Sequence, residues 1–425
     1  MSHRALMLGG IAPGETRISG LLEGQDVLNT AMAMRALGSH ITQGDDGIWR
    51  CTGPGIGGLS EPQGILDLGN SGTSARLLIG LVAGYPFTTV FTGDASLVKR
   101  PMRRVMTPLE KMGAQFLAKE DNKLPLAVRG TEDLLAIDYE TPVASAQIKS
   151  AILLAGLMAT GHTSVIETAP SRDHTENMLR AFGVNVDTEE IGDGKFRASV
   201  HGQPDMHDCT LDIPADPSSA AFPAAAAVLH PGSAITLLNV GTNTRRTGFF
   251  KCLEEMGVDI QYRNEREQGG EPVADIHLMA EEPPRGIDVP PERVPSMIDE
   301  FPILSVIAAC ADGTTSMTGL AELRVKESDR LALMATGLKA CGVKLEMGED
   351  SLIIHGNSHP PKGGVQIETA LDHRIAMSFL VLGSVSEEAI AIDDISPVGT
   401  SFPGFVDLMN ELGTDMRARE DKKAA

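Results

Sequence analysis

The sequence predicts an α/β protein of two domains, each made of three repeated α/β units with buried helices and outer sheets. Three observations lead to this fold class. A helical stretch closed by a glycine recurs six times along the chain. Helical stretches that are apolar on every side follow polar turns. Finally, the length of 425 residues exceeds the roughly 250 to 300 residues at which a single hydrophobic core stops growing.

The repeated glycines each follow an apolar helical stretch and precede a short strand-like tail, as in "LGSHI", "MGAQF" and "FGVNV". They are Gly38, Gly113, Gly183, Gly257, Gly342 and Gly413, separated by 75, 70, 74, 85 and 71 residues. A glycine just past a helix is typical of a C-cap in the left-handed conformation, which other residues adopt only at a cost. We therefore predict six structural repeats.

The sequence also predicts, in each repeat, one helix that is buried around its whole circumference. Five of them read "NSGTSARLLIGLVAGYPFTTVF", "ASAQIKSAILLAGLMATGHTSVI", "PSSAAFPAAAAVLHPGSAITLL", "PSMIDEFPILSVIAACADGTTSM" and "LDHRIAMSFLVLGSVSEEAIAI". The first repeat begins almost inside its helix, with "SHRALMLGGIAPGETRI". Helices this apolar must be covered on every side. We expect each repeat to contain a strand, a helix, a strand, a helix and a strand around the central helix.

Six repeats are best divided into two domains of three. The boundary is expected near "LDIPADPSS", where the third repeat has closed and a proline-rich turn opens the fourth. This places repeats 1 to 3 in residues 1–211 and repeats 4 to 6 in residues 212–425. A solenoid is the alternative architecture, but its repeats would normally be about 20 to 50 residues long.

Composition excludes several classes of protein. A net charge of −21 and a pI near 4.9 argue against nucleic acid or an anionic membrane as a partner of the whole surface. The five cysteines show neither a CxxC pair nor a zinc pattern, which indicates a reducing compartment without a disulfide framework. Neither an apolar run of membrane-spanning length nor a signal peptide is evident. We expect a soluble cytoplasmic protein.

Basic residues nevertheless cluster in loops and at helix starts. They lie in "NSGTSAR", "KRPMRR", "SRDHTE", "VKESDR" and "LDHR", and "TPVASAQIKS" adds hydroxyl and amide groups at another helix start. Helix N-termini and arginine forks both suit phosphate and carboxylate. A small polyanionic ligand is therefore predicted. The alternatives are simple N-capping, scattered surface charge and, for "VKESDR", a solvated helix face with Lys326 and Arg330 four residues apart.

Carboxylates accompany these cations. Asp299 and Glu300 interrupt an apolar helix start in "PSMIDEFP", and Glu327 lies between the cations of "VKESDR". Acidic residues in a first helical turn are favoured by the helix dipole, so capping is one interpretation. A carboxylate beside a bound anion's hydroxyl could instead act as a general base.

Eight motifs together resemble the 5-enolpyruvylshikimate-3-phosphate (EPSP) synthase family, in particular its class II bacterial group. They are "LLEGQDVLNT", "GNSGTSAR", "GDASLVKRPM", "ASAQIKSA", "SRDHTE", "PSMIDEFP", "VKESDR" and "LDHRIAMSF", in the same order and over essentially the whole chain. The resemblance implies two domains, each of three repeated α/β units, in agreement with the repeats above.

The resemblance implies transfer of an enolpyruvyl group from phosphoenolpyruvate to the 5-hydroxyl of shikimate 3-phosphate, with no metal or organic cofactor. It implies Asp299 and Glu327 as proton-transfer residues. It implies binding of shikimate 3-phosphate by Arg4, Ser145, Gln147, Arg172 and Lys326. It implies binding of phosphoenolpyruvate by Gly72, Arg100, Gln147, Arg330 and Arg374.

These assignments draw residues from both halves of the chain, so we expect the active site in the cleft between the domains, with closure on binding. Fixed guanidinium groups would screen the repulsion between two anionic substrates. The resemblance further implies a monomer and inhibition by glyphosate, with Gly72 lining the phosphoenolpyruvate pocket.

Two alternatives are a UDP-N-acetylglucosamine enolpyruvyl transferase-like enzyme and a non-catalytic anion-binding relative. The first would use a mobile-loop cysteine, which is absent between Gly93 and Arg104. The second would not need Asp299 and Glu327. The family's first repeat opens with a pattern like PGDKSxSHR, whereas this chain opens with "MSHR". We therefore expect impaired activity from the chain as printed. Thr400 stands where some members carry a lysine, which fits the class II pattern.

Overall fold

The computed structural model describes residues 1–418, so the last seven residues of the predicted second domain lie outside it. The chain divides into two compact units. Unit 1 contains residues 1–214 and 267–272, and unit 2 contains residues 215–266 and those from 273 onward. The boundary expected from the sequence, at 211/212, stays a prediction. Residues 267–272 group with unit 1, although they follow that boundary in the chain. None of the helices within residues 1–418 is long and apolar enough to span a membrane.

Unit 1 contains three four-stranded sheets in the described residues. Its strands are β1 (Glu15–Ser19), β2 (His40–Gln43), β3 (Trp49–Thr52), β4 (Leu66–Asp67), β5 (Thr88–Thr92), β6 (Gln115–Lys119), β7 (Lys123–Arg129), β8 (Asp138–Glu140), β9 (His162–Glu167), β10 (Val186–Gly192), β11 (Lys195–His201) and β12 (Thr210–Asp212). The sheet orders are β12-β1-β3-β2, β4-β5-β7-β6 and β10-β11-β9-β8. In each sheet one edge strand pairs in parallel and the other neighbours pair antiparallel, so the three sheets repeat one pattern.

The helices of unit 1 lie against these sheets. They are α1 (Ser2–Gly9), α2 (Gln25–Ala36), α3 (Gly72–Val82), α4 (Arg103–Met112), α5 (Ala146–Gly156) and α6 (His174–Ala181), with short 3₁₀ turns at Leu97–Lys99 and Glu120–Asn122. Helices α3 and α5 are buried along most of their length, as their apolar sequences predict. A Cβ on Gly80 would lie 2.2 Å from the carbonyl oxygen of Ala151, so only glycine permits this close helix contact.

Unit 2 also contains three sheets in the described residues, two of which have fewer than four strands. Its strands are β13 (Ser233–Gly241), β14 (Asp259–Gln268), β15 (Glu271–Ala280), β16 (Asp288–Val289), β17 (Asp312–Met317), β18 (Lys344–Met347), β19 (Leu352–Asn357), β20 (Gln366–Ile367) and β21 (Ala391–Ile392), and its helices are α7 (Pro217–Leu229), α8 (Gly248–Glu255), α9 (Phe301–Cys310), α10 (Arg330–Ala340), α11 (His373–Gly383), α12 (Val398–Ser401) and α13 (Phe405–Glu411), with 3₁₀ turns at Pro291–Ser296 and Ala321–Val325. The sheet orders are β13-β15-β14, β16-β17-β19-β18 and β20-β21. Every residue of α9 is buried.

The predicted glycine C-caps are confirmed. All six glycines that recur at helix ends have a positive φ, between 81° and 112°. Each of them therefore occupies the left-handed conformation that glycine adopts without steric cost. The fold of repeated α/β units predicted from the sequence is confirmed as well, because sheets and buried helices recur along both units.

Candidate active site

In unit 1, two arginine side chains lie over the turn that starts α3. A Cβ built on Gly72 would be 2.8 Å from Nη1 of Arg76 and 3.0 Å from Nη1 of Arg100. Nη2 of Arg100 donates to Oδ1 of Asn70 at 2.9 Å and to Oγ of Ser96 at 3.1 Å. The turn is therefore a short stretch of backbone held between two guanidinium groups, which suits a bound anion.

Gln147 joins the same group of residues. Its Oε1 accepts a hydrogen bond from Nη1 of Arg76 at 2.9 Å, and its Nε2 donates to Oγ1 of Thr73 at 3.1 Å. The structure thus brings Gly72, Arg100 and Gln147 together, although 75 residues separate the first from the last. Arg76 completes the group. The sequence motif "NSGTSAR" contains Arg76, but the resemblance did not select it.

Arg4 and Arg172 lie near the start of α6. Arg4 is buried, and its guanidinium donates from Nε to Oγ1 of Thr175 at 2.7 Å and from Nη2 to Oγ of Ser150 at 3.0 Å. Arg172 is half-buried in the turn between β9 and α6. Ser145 is the N-cap residue of α5, and its side chain makes no capping hydrogen bond. Arg4, Arg172 and Ser145 therefore lie near the N-terminal ends of α5 and α6.

In unit 2, two cationic side chains contact the same carboxylate oxygen of Asp299. Its Oδ1 lies 3.1 Å from Nη1 of Arg330 and 3.4 Å from Nζ of Lys326. Nη1 of Arg374 donates to the backbone carbonyl of Asp299 at 3.4 Å. Three predicted binding residues thus converge on the turn that precedes α9. An anion bound there would meet three positive charges around one carboxylate.

Arg330 is the centre of this cluster. Its side chain is 1% exposed and contacts three carboxylates: Asp299, Glu327 at 2.5 Å from Nη2, and Asp372 at 2.8 Å from Nε. Burial alone would lower the pKa of Arg330, but the three carboxylates outweigh it and raise the pKa further above its usual range. Arg330 is therefore a permanent buried cation.

The structure contradicts the solvated-helix interpretation of "VKESDR". Residues 326–329 lie outside any helix, and α10 begins only at Arg330, with Asp329 as its N-cap residue. Oδ1 of Asp329 accepts the backbone N–H of Ala332 at 3.0 Å. Because the cap starts the helix so late, Lys326 does not share a helix face with Arg330.

Asp372 was missed by sequence reasoning. Its side chain is fully buried, Oδ2 accepts from Oγ of Ser328 at 2.9 Å, and Oδ1 accepts the backbone N–H of Arg374 at 2.9 Å. Burial alone would raise its pKa, but the guanidinium of Arg330 holds the pKa below its ordinary value. Its signal in the sequence was the N-cap position in "LDHR", which indicates a helix start and carries no information about Arg330.

One group of residues within 1–418 has side chains that could ligate a metal ion. Ligand atoms of Asp173, His174 and Glu271 all lie within 4.8 Å of one another. Nδ1 of His174 and Oε1 of Glu271 form a hydrogen bond of 2.8 Å, and Nδ2 of Asn177 donates to the same oxygen at 3.2 Å. These bonds explain the arrangement by themselves, so we assign no metal to it.

Comparison with known proteins gives a consistent result. The family model of EPSP synthase (3-phosphoshikimate 1-carboxyvinyltransferase) matches residues 1–409. A curated protein of Paramagnetospirillum magneticum named 3-phosphoshikimate 1-carboxyvinyltransferase is 57% identical over 413 residues, which cover 97% of this chain and 92% of that protein. A protein of the same name from Granulibacter bethesdensis is 57% identical over 416 residues, covering 98% of this chain and 91% of the relative.

Solved structures agree in fold. EPSP synthase from Acinetobacter baumannii superposes with a TM-score of 0.86 at 46% identity, covering 97% of this chain and 93% of that one. The enolpyruvyl transferase NikO from Streptomyces tendae superposes with a TM-score of 0.75 at 16% identity, covering 98% of this chain and 93% of that one. At this lower identity, the second likeness shows the fold alone.

Proposed function

The chain belongs to the EPSP synthase (3-phosphoshikimate 1-carboxyvinyltransferase) family, and on that basis we propose how its residues transfer the enolpyruvyl group of phosphoenolpyruvate to the 5-hydroxyl of shikimate 3-phosphate. The protein is a transferase that releases phosphate in this reaction. The shared name of its curated relatives favours this activity over the UDP-N-acetylglucosamine alternative.

The observation that carries the residue assignment is the convergence on Asp299. One of its oxygens contacts Arg330 and Lys326 at 3.1 and 3.4 Å. Glu327 contacts the other terminal nitrogen, Nη2, of the Arg330 guanidinium. A carboxylate within reach of a bound substrate's hydroxyl can accept its proton, and the fixed cations beside Asp299 can offset the negative charge of the substrates. We assign Asp299 as the general base toward the 5-hydroxyl.

The proposed reaction proceeds by addition and elimination. The 5-oxygen of shikimate 3-phosphate attacks C2 of phosphoenolpyruvate and gives its proton to Asp299, while C3 gains a proton by way of Glu327. Loss of a proton from C3 and departure of phosphate then restore the carbon–carbon double bond. The addition moves one proton to Asp299 and one to C3, and the elimination removes one proton from C3 as the bond between C2 and the phosphate oxygen breaks. No oxidant or reductant is needed.

Substrate binding is divided between two sets of residues. In the proposal, Arg4, Ser145, Gln147, Arg172 and Lys326 bind shikimate 3-phosphate, and Gly72, Arg100, Gln147, Arg330 and Arg374 bind phosphoenolpyruvate. The buried guanidinium of Arg330 supports a role of this residue in anion binding, because a desolvated arginine binds a carboxylate or phosphate more strongly than an exposed one. We also propose a monomeric, cytoplasmic enzyme, which size-exclusion chromatography with light scattering and cell fractionation would test.

The test of the base assignment is Asp299→Asn. We expect kcat for phosphate release to fall by about two orders of magnitude or more, because the amide cannot accept the proton. The dissociation constant for shikimate 3-phosphate, measured by calorimetry, should stay within about threefold. The matched control is Asp312→Asn at an exposed position of β17, which should retain parental turnover.

Two outcomes would contradict the proposal. Turnover of Asp299→Asn within a few-fold of the parent would remove this residue from the base role. If the parent protein released phosphate at a rate that does not depend on shikimate 3-phosphate, the proposal that this compound is the acceptor substrate would be wrong.

A further inference from the structure

Lys149 is a buried charge without a role in the mechanism above. It is the one buried lysine in the described part of the chain, and it lies in the first turns of α5. Its Nζ is 2.8 Å from Oε2 of Glu167 and 2.8 Å from Oε1 of Glu176, and all three side chains are at most 2% exposed. A lysine and two carboxylates are thus enclosed together.

The three residues belong to three separate elements of unit 1. Lys149 is on α5, Glu167 is the last residue of β9, and Glu176 is in the first turn of α6. The turn that carries Arg172 connects the two carboxylates along the chain. Lys149 therefore fastens both ends of that turn to the start of α5.

Glu167 makes a second contact that reaches the site. Its Oε1 accepts the backbone N–H of Ser145 at 3.2 Å, while its Oε2 binds Lys149. One carboxylate thus holds the N-cap residue of α5 and the lysine one turn later. The position of Gln147, which lies between them on the same helix, follows from this attachment.

A parallel contact lies one residue further along α5. Oγ of Ser150 is 2.6 Å from Oγ1 of Thr175, and the guanidinium of Arg4 donates to both hydroxyls. This second link also joins α5 to the first turn of α6. The spacing between these two helix ends therefore determines where Arg4 lies.

Stability is a poor explanation for these buried charges. Removing three charges from water costs several kcal/mol per ion, and well-packed apolar side chains often replace such groups without loss. Only one carboxylate oxygen of Glu176 is paired, since its buried Oε2 has no hydrogen-bond partner among residues 1–418. Burial lowers the pKa of Lys149, but the two carboxylates outweigh it and raise the pKa, so the lysine remains charged.

We propose that Lys149 is a positioning residue for shikimate 3-phosphate: by binding Glu167 and Glu176 together, it sets the distance between Ser145 and Gln147 on α5 and Arg172 before α6. It does not touch the substrate. The proposal rests on the function proposed above, because it concerns the same binding residues. It extends that function by naming a buried group on which their arrangement depends.

The experiment compares two variants. Lys149→Met keeps the length of the side chain but leaves two buried carboxylates unpaired, and it could fold poorly for that reason alone. The double variant Lys149→Met with Glu176→Gln keeps the formal charge of the cluster at −1 while removing the attachment. We expect the double variant to bind shikimate 3-phosphate at least tenfold more weakly by calorimetry. KM for shikimate 3-phosphate should rise by a similar factor. KM for phosphoenolpyruvate should rise clearly less, because Gln147 is the one residue of that set whose position depends on Lys149.

Leu126→Ala is the control for a purely structural effect. Leu126 is buried in β7, on a different sheet from the cluster, and its truncation should lower the unfolding temperature. Loss of folded molecules reduces the apparent kcat but does not change KM or the dissociation constant of those that remain. The control should therefore keep both parental values.

The outcomes separate the two proposals. If the parent does not bind shikimate 3-phosphate, the proposed function fails. If the parent binds and the folded double variant binds with parental affinity, the positioning role of Lys149 is wrong. Equal increases in KM for both substrates would also overturn it, because they would indicate general disruption.

Discussion

Asp372→Asn is the substitution that isolates the buried charge beneath Arg330. The amide has the shape of the carboxylate and is also a good N-cap residue, so the hydrogen bond to the backbone N–H of Arg374 can be kept. What changes is the contact with Arg330, where a charged acceptor 2.8 Å from Nε is lost. Glu327 and Asp299 still contact the guanidinium.

The expected cost follows from these contacts. Removing the partner of a buried charge costs about 3–5 kcal/mol when no compensation remains, and one charge-assisted hydrogen bond contributes about 1.5–3 kcal/mol. Because two carboxylates remain, we expect the lower range, a loss of about 2–3 kcal/mol in the free energy of unfolding. For a unit of this size, 1 kcal/mol shifts Tm by about 2–4 °C, so Tm should fall by about 4–12 °C. KM for phosphoenolpyruvate should rise about tenfold as Arg330 loses its fixed orientation.

Asp329→Asn is the matched control, since Asp329 is also an N-cap residue that binds an arginine. It pairs with Arg324 at 2.8 Å, but the two side chains are 40% and 28% exposed, far more than Asp372 and Arg330. An exposed pair contributes about 0–1 kcal/mol, so Tm should change by no more than about 4 °C. The assay is thermal unfolding followed by circular dichroism, together with phosphate release at varied phosphoenolpyruvate. Equal Tm values for Asp372→Asn and Asp329→Asn would refute the argument from burial.

Gly72→Ala places a methyl group 2.8 Å from Nη1 of Arg76 and 3.0 Å from Nη1 of Arg100. We expect KM for phosphoenolpyruvate to rise about tenfold, equivalent to about 1.4 kcal/mol, and the inhibition constant for glyphosate to rise further. The control is Gly64→Ala, because a Cβ at that position meets nothing within 4 Å. Equal constants in the two variants would show that Gly72 does not line the pocket. Burial and the neighbouring Arg374 lower the pKa of His373 from 6.5 to about 4. Below pH 6.5 the unfolded chain therefore binds a proton that the folded chain does not, so the free energy of unfolding should fall between pH 6.5 and 4 by at most about 1.4 kcal/mol per pH unit from this group. Urea unfolding at pH 7, 6 and 5 should show a shallower fall for His373→Gln, and an unchanged slope would contradict this.

Much of the fold could be predicted because its signals are local. The six glycine C-caps depend on the φ angle of one residue, and the buried helices depend on the apolar pattern within a single segment. The interpretation that the structure contradicts is the alternative for "VKESDR", a solvated helix face. Its spacing favoured one helix face, but the cap at Asp329 delays α10 until Arg330, and tertiary contacts bury that arginine.

The sequence by itself determined which charged groups exist, the turns that hold them and the order of the motifs along the chain. Only the tertiary structure decided which charges meet. Asp372 contacts Arg330 across 42 positions of sequence, and Lys149 reaches carboxylates on β9 and α6. Such pairs form when separate elements pack and exclude water, and the same exclusion strengthens the attraction between their charges. A local pattern contains neither the packing nor the dielectric environment, so it could identify Arg330 and Lys149 as cations but not as the centres of two buried clusters.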